Sequence, residues 1–145
     1  MKHVLLVALF TLETVAAMAQ TVYGNEWVDH IRRYWRFNVH AEGLVRIDSA
    51  ALAGSGFPVA TVDPAHIMVF ARERQVPLYV HGGEDGVLNG EDFIELHVQG
   101  NDGWLDAHMY EQPGHQANPY YSLYNDTIRY FLTWDPDAPK ERVAK

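Results

Sequence analysis

The sequence predicts an all-β domain: a β-sandwich of about six to eight mostly antiparallel strands with one short helix. Three observations carry this. Apolar residues recur mainly with period two in short runs. Clusters of Gly, Asn, Asp and Pro separate those runs. Only the stretch after Asp48 joins a helix-capping residue to a helix-ending glycine. With 145 residues, 48% of them hydrophobic and 21% charged, the chain holds about one domain with a packed core.

Residues 1–19 read as an export signal that is absent from the mature chain. Lys2 and His3 form a basic start, Val4 to Leu12 is a largely apolar run too short to span a bilayer, and Ala17-Met18-Ala19 supplies small residues for cleavage before Gln20. No later run approaches membrane-spanning length, so no transmembrane segment is expected, and the mature chain is placed in the periplasm, at the outer-membrane surface or outside the cell. Residues 20–134 are assigned to the sandwich.

Trp35, Phe37 and Val39 fall on one face of a first strand, with Arg36 and Asn38 on the other; Ala41-Glu42-Gly43 reads as a hairpin turn into Leu44 to Ile47. Asp48 or Ser49 caps a short helix over Ala50 to Ala53, and Gly54 or Gly56 ends it. Ile67 to Ala71 is apolar on both faces and suits a central strand. Glu73-Arg74-Gln75 turns it back into Val76 to Val80, where Pro77 belongs on an edge or at a bulge. Phe93 to Val98 and Ile128 to Trp134 are two more strands, and Leu105 to Tyr110 is a further short one in a Gly-, Asn- and Pro-rich stretch. Residues 135–145 read as a linker or the truncated start of a next segment, which suggests a fragment of a longer protein.

The mature part keeps the net charge of −8, because the signal takes away Lys2 and Glu13, one charge of each sign. A surface this acidic repels phosphate backbones and anionic lipid, so nucleic acid is not an expected partner. The chain has no cysteine, hence no disulfide, thiol nucleophile or thiolate ligand. The histidines left after the signal is removed are scattered without metal-ligand spacing, and the three serines, Ser49, Ser55 and Ser122, sit in no nucleophile elbow. No carboxylate pair stands out as buried with a raised pKa.

Two stretches invite a site reading. The first, "GEDGVLNGED" from Gly83 to Asp92, fails both registers of the helix-loop-helix calcium pattern and reads as a glycine-shaped hairpin turn with solvated acids. Calcium is the one cofactor considered, with Glu84, Asp85, Asn89, Glu91 and Asp92 as the oxygen donors a loop could bring together. The second is the aromatic cluster Tyr120-Tyr121-Ser122-Leu123-Tyr124 with Trp104, Tyr130, Phe131 and Trp134. At strand spacing such residues ordinarily pack in the core; if exposed, Trp104, Tyr120, Tyr121 and Tyr124 would stack on sugar faces or anchor a protein partner. Asn125-Asp126-Thr127 also matches an N-glycosylation acceptor.

Several segments resemble a known family in order: Tyr23-Gly24-Asn25-Glu26-Trp27, Tyr34 to Val39, Gly43 to Ile47, Gly56-Phe57-Pro58, Asp85-Gly86 with Gly90 to Glu95, Asn101 to Asp106, and Asn118 to Asp126. Together they resemble the N-terminal, non-catalytic β domain of gingipain-type cysteine peptidases of Bacteroidetes, above all the PorU-like proteins of the type IX secretion system. The resemblance implies a downstream caspase-like His/Cys peptidase domain in relatives, and in PorU-like proteins removal of C-terminal sorting signals at the outer membrane. It transfers no catalytic residue to this chain. The expected role is therefore a structural or interaction module, not an enzyme, whose partner is the peptidase domain of a longer parent or another envelope protein. A carbohydrate- or adhesin-like module, stabilised by calcium, is the alternative.

Overall fold

The computed structural model describes residues 23–118 and 120–143. The expected export signal lies outside the described residues. Among them are seven strands: β1 (Trp35–Val39), β2 (Gly43–Asp48), β3 (Ile67–Ala71), β4 (Arg74–Val76), β5 (Tyr79–His81), β6 (Phe93–Val98) and β7 (Ile128–Trp134), with one short helix, α1 (Ser49–Gly54). They form two sheets, β1-β7-β3-β4 and β2-β6-β5, in which every neighbouring pair is antiparallel. The fold is all-β, as the alternation predicts.

The inward-facing apolar residues of the strands fill the gap between the sheets. Val39, Val69, Leu132 and Tyr130 meet Ile94, Leu96 and Val98 there, and all are buried. Interior β3 is buried on both faces, which explains its unbroken apolar run. Trp27, in the irregular segment before β1, stacks on Phe70 at 4.9 Å and lies 5.4 Å from Phe131, so it covers part of the outer face of the four-stranded sheet. Asp48 caps α1, its carboxylate accepting from the Ala51 amide at 2.7 Å. Trp35 packs on Phe57 and Trp134, and its indole N–H donates to the Ser55 carbonyl at the end of the helix.

Four local expectations are corrected. Ala41-Glu42-Gly43 is not a hairpin turn: β1 pairs with β7 and β2 with β6, so this link crosses from one sheet to the other. Period-two alternation reports which face is apolar but not which sheet a strand joins. Val76 to Val80 is not one strand, because the chain leaves the edge of the four-stranded sheet at Pro77, which has no N–H for a ladder, and enters the other sheet as β5. The turn before β4 sits one residue earlier than expected, with Arg72 and Glu73 at φ 51° and 65°. Leu105 to Tyr110 is not a strand either; it holds the 3-10 turn Asp106–Met109, started by an Asp106 amide bond to the Gly103 carbonyl.

After β7 the chain stays on the fold through residue 143. Asp135 pairs with Arg32, Leu78 forms a parallel bridge with Arg142, and the Arg142 guanidinium donates to the carbonyls of Ala65 and Ile67.

Candidate functional site

The two sequence candidates lie in different connections. Residues 82–92 join β5 to β6, so "GEDGVLNGED" is the hairpin connection it was expected to be. Gly82, Gly83, Gly86 and Gly90 all have positive φ. At Gly82 the need is double: φ is +72°, and a Cβ would overlap the Asp92 carboxylate. The loop has its own anchor, Leu88, which is 1% exposed and belongs to the core.

Its acids serve the loop. The Asp85 carboxylate accepts from the Val87 amide and the Asn89 side chain, at 3.0 and 3.1 Å, and Asp92 accepts from the Asn89 amide at 3.0 Å. Glu84 and Glu91 point into water. Among the described residues no group of three or more His, Asp or Glu side chains is placed to hold a metal ion. Calcium at Glu84, Asp85, Asn89, Glu91 and Asp92 would thus have to draw together donors that now bond the backbone or face solvent.

The aromatic cluster divides. Tyr130, Phe131 and Trp134 lie on β7 and pack, Tyr130 being 2% exposed with its hydroxyl accepting from the Gln99 amide at 2.8 Å. Tyr120, Tyr121 and Tyr124 do not pack as strand spacing suggested: they are 77%, 67% and 67% exposed, with Leu123 exposed beside them. No strand includes them, so there is no pleat to turn them inward.

The backbone beneath these rings is tied down. Ser122 is the hub: its amide donates to the Asn101 carbonyl at 3.0 Å, its hydroxyl donates to Asp106 at 2.6 Å, and that hydroxyl accepts from the amides of Tyr124 and Asn125, both at 3.2 Å. Asn101 reaches back, its amide nitrogen donating to the Asn125 carbonyl at 2.7 Å. Gln116 bridges the carbonyls of Asp102 and Asn118. Gly103, at φ +77°, lets Ser122 approach so closely that a Cβ there would lie 3.2 Å from the Ser122 Cα. Short Asn, Asp and Ser side chains that bond nearby amides can replace ladder bonds in a long loop.

This segment borders two neighbouring clefts. One, of about 740 Å³, is lined by His40, Glu42, Gln99, Asp102, Tyr120, Tyr121 and Asp126 among others. The second, of about 490 Å³, takes Trp104, Tyr124, Asp106, Arg129 and Phe131. Arg72, Asn101 and Ser122 line both. The four sequence-predicted aromatics are therefore split, with Tyr120 and Tyr121 on one cleft and Trp104 and Tyr124 on the other.

Arg72, which no sequence motif marks, holds the wall between the clefts. Its guanidinium donates to Asp102 at 3.0 Å and to the Gly100 carbonyl at 2.6 Å, and lies 5.9 Å from the Trp104 ring centre. Its Nε is buried with no hydrogen-bond partner among the described residues. Burial pushes the Asp102 carboxyl up, but the Arg72 hydrogen bond and charge outweigh it and hold the group below its ordinary value. Asp126 is also held low, first by the Thr127 hydroxyl and further by the His40 ring.

Nothing matches the chain in comparisons with protein-family models, curated proteins and solved structures. Among the described residues no helix is long and apolar enough to cross a membrane.

Proposed function

We propose that the chain is an exported, non-catalytic interaction module, of the kind that precedes a gingipain-type cysteine peptidase domain at the cell envelope, and that it engages its partner through the Tyr120 to Tyr124 segment. The observation that carries this is the pairing of exposed rings with a bound backbone: three tyrosines stand in water on a segment held by the Ser122 bonds. Tyrosine is among the residues that dominate interface energies, and a pre-ordered segment loses less entropy on docking than a free one. With no cysteine, any thiol peptidase chemistry belongs to another domain.

The test is site-specific photo-crosslinking in the source cell. A photoreactive phenylalanine derivative replaces Tyr121 or Tyr124 in one set of strains and Leu44, on the outer face of the other sheet, in a second. A discrete adduct from the tyrosine positions and none from Leu44 supports the reading. No adduct, or equal adducts everywhere, contradicts it.

A glycan-binding module is the alternative, favoured by the amide and carboxylate groups of Gln99, Asn101 and Asp102 beside Tyr120 and Tyr121. A glycan array decides it: retention of one sugar class, lost in Tyr120→Ser, would support it, and background binding would remove it.

A further inference from the structure

The cleft beside Tyr120 and Tyr121 has an unbalanced lining. Three carboxylates face it, from Glu42, Asp102 and Asp126, against the single guanidinium of Arg72. That guanidinium is already spent on Asp102 and the Gly100 carbonyl. His40 lies 3.7 Å from Asp126 and carries charge only when protonated, and His97, 3.5 Å from Glu42, is in the same position. Glu42 and Asp126 therefore stand at the rim with their side chains 69% and 82% exposed. A neutral ligand seated here would strip water from these carboxylates and return no charge, which is costly. A cationic one would pair with them, and its guanidinium or ammonium groups would also be attracted to the tyrosine faces. The chain's net charge of −8 acts in the same direction at long range by steering a basic partner to the surface.

We propose that this cleft takes a basic, extended polypeptide segment of the partner, whose Arg or Lys side chains lie on Tyr120 and Tyr121 and pair with Glu42 and Asp126. The inference rests on the interaction reading above and gives that partner a chemistry. The two exposed rings provide contact area, and the two carboxylates, which follow β1 and precede β7, set where the cations sit.

Fluorescence anisotropy tests it with the full chain and three probes: a labelled eight-residue alternating Arg-Gly peptide, its Glu-Gly counterpart, and labelled maltohexaose. The Arg-Gly peptide is expected to bind, to weaken progressively as salt is raised, and to lose about tenfold in affinity with Tyr121→Ser and again with Glu42→Gln plus Asp126→Asn. All three positions are exposed, so melting temperatures close to the parent's confirm that these variants fold. Equal binding of the two peptides, Arg-Gly binding indifferent to these substitutions, or binding of maltohexaose alone overturns the proposal. Should the Tyr121 photo-adduct form while the Arg-Gly peptide fails to bind, the partner's basic character falls and the interaction reading stands. Loss of both removes the two together.

Discussion

Replacing Ser122 with alanine removes one oxygen that makes three bonds: it donates to Asp106 at 2.6 Å and accepts from the amides of Tyr124 and Asn125 at 3.2 Å. A hydrogen bond to a charged group contributes roughly 1.5–3 kcal/mol when buried, and a long bond to a backbone amide about 0.5 kcal/mol. Ser122 is only half-buried, so water replaces part of what is lost, and the net local cost is about 1–2 kcal/mol. That corresponds to a roughly 5- to 30-fold fall in protection against amide hydrogen exchange. The fall is expected at Tyr124 and Asn125, and at the Ser122 amide, while the strand amides of β3 and β7 exchange as before. Melting temperature should move by no more than a few degrees, because the sandwich core is untouched. Unchanged protection at Tyr124 and Asn125 would refute the claim that Ser122 holds the segment. A matching fall at β3 would show that the loop and the sandwich unfold as one unit.

Leu88→Ala leaves a cavity at a core position and should cost about 2–5 kcal/mol, seen as a drop in melting temperature on the order of 10 °C; a shift under about 2 °C would mean that the acidic loop is not anchored. Gly82→Ala should destabilise more than Gly86→Ala in chemical denaturation, since both have positive φ but only at Gly82 does the new Cβ meet another residue; equal effects would contradict this. Asp29, Asp102 and Asp135 are all held below their ordinary values: Asp29 first by its Arg32 hydrogen bond, Asp102 by Arg72 against its burial, and Asp135 first by the Asp137 amide. The stability they contribute is complete above about pH 4 and is lost as pH falls through the lowered values. Melting temperature should therefore fall below about pH 4, less steeply in Asp135→Asn; a flat profile to pH 2 would be contrary.

Much of the sandwich is legible because its strands announce their inner faces. Trp35, Phe37 and Val39, and later Ile94, Leu96 and Val98, alternate as half-buried strands must, and Ile67 to Ala71 is apolar throughout because β3 lies inside its sheet. Pairing is another matter. Nothing in the alternation of β1 and β2 distinguishes a hairpin from a crossing between sheets, since both choices bury the same side chains. Leu88 shows the same limit at smaller scale: one leucine among glycines and acids has no period, yet it fixes the loop. The candidate site was half visible. The tyrosines were conspicuous, but strand spacing pointed them inward, whereas Asn101, Gly103, Gln116 and Ser122 build a loop without strands. Arg72 carried no local signal at all, because its partners at Gly100 and Asp102 come from a distant connection.

The most direct measurement of the central claim, an open tyrosine face on a held segment, is nitration of each tyrosine in the native chain, quantified by mass spectrometry. Tyr120, Tyr121 and Tyr124 should react at rates near those of free tyrosine, while Tyr130, at 2% exposure, reacts only on unfolding. If those three tyrosines react as slowly as Tyr130, the rings are covered and the account of this surface is wrong.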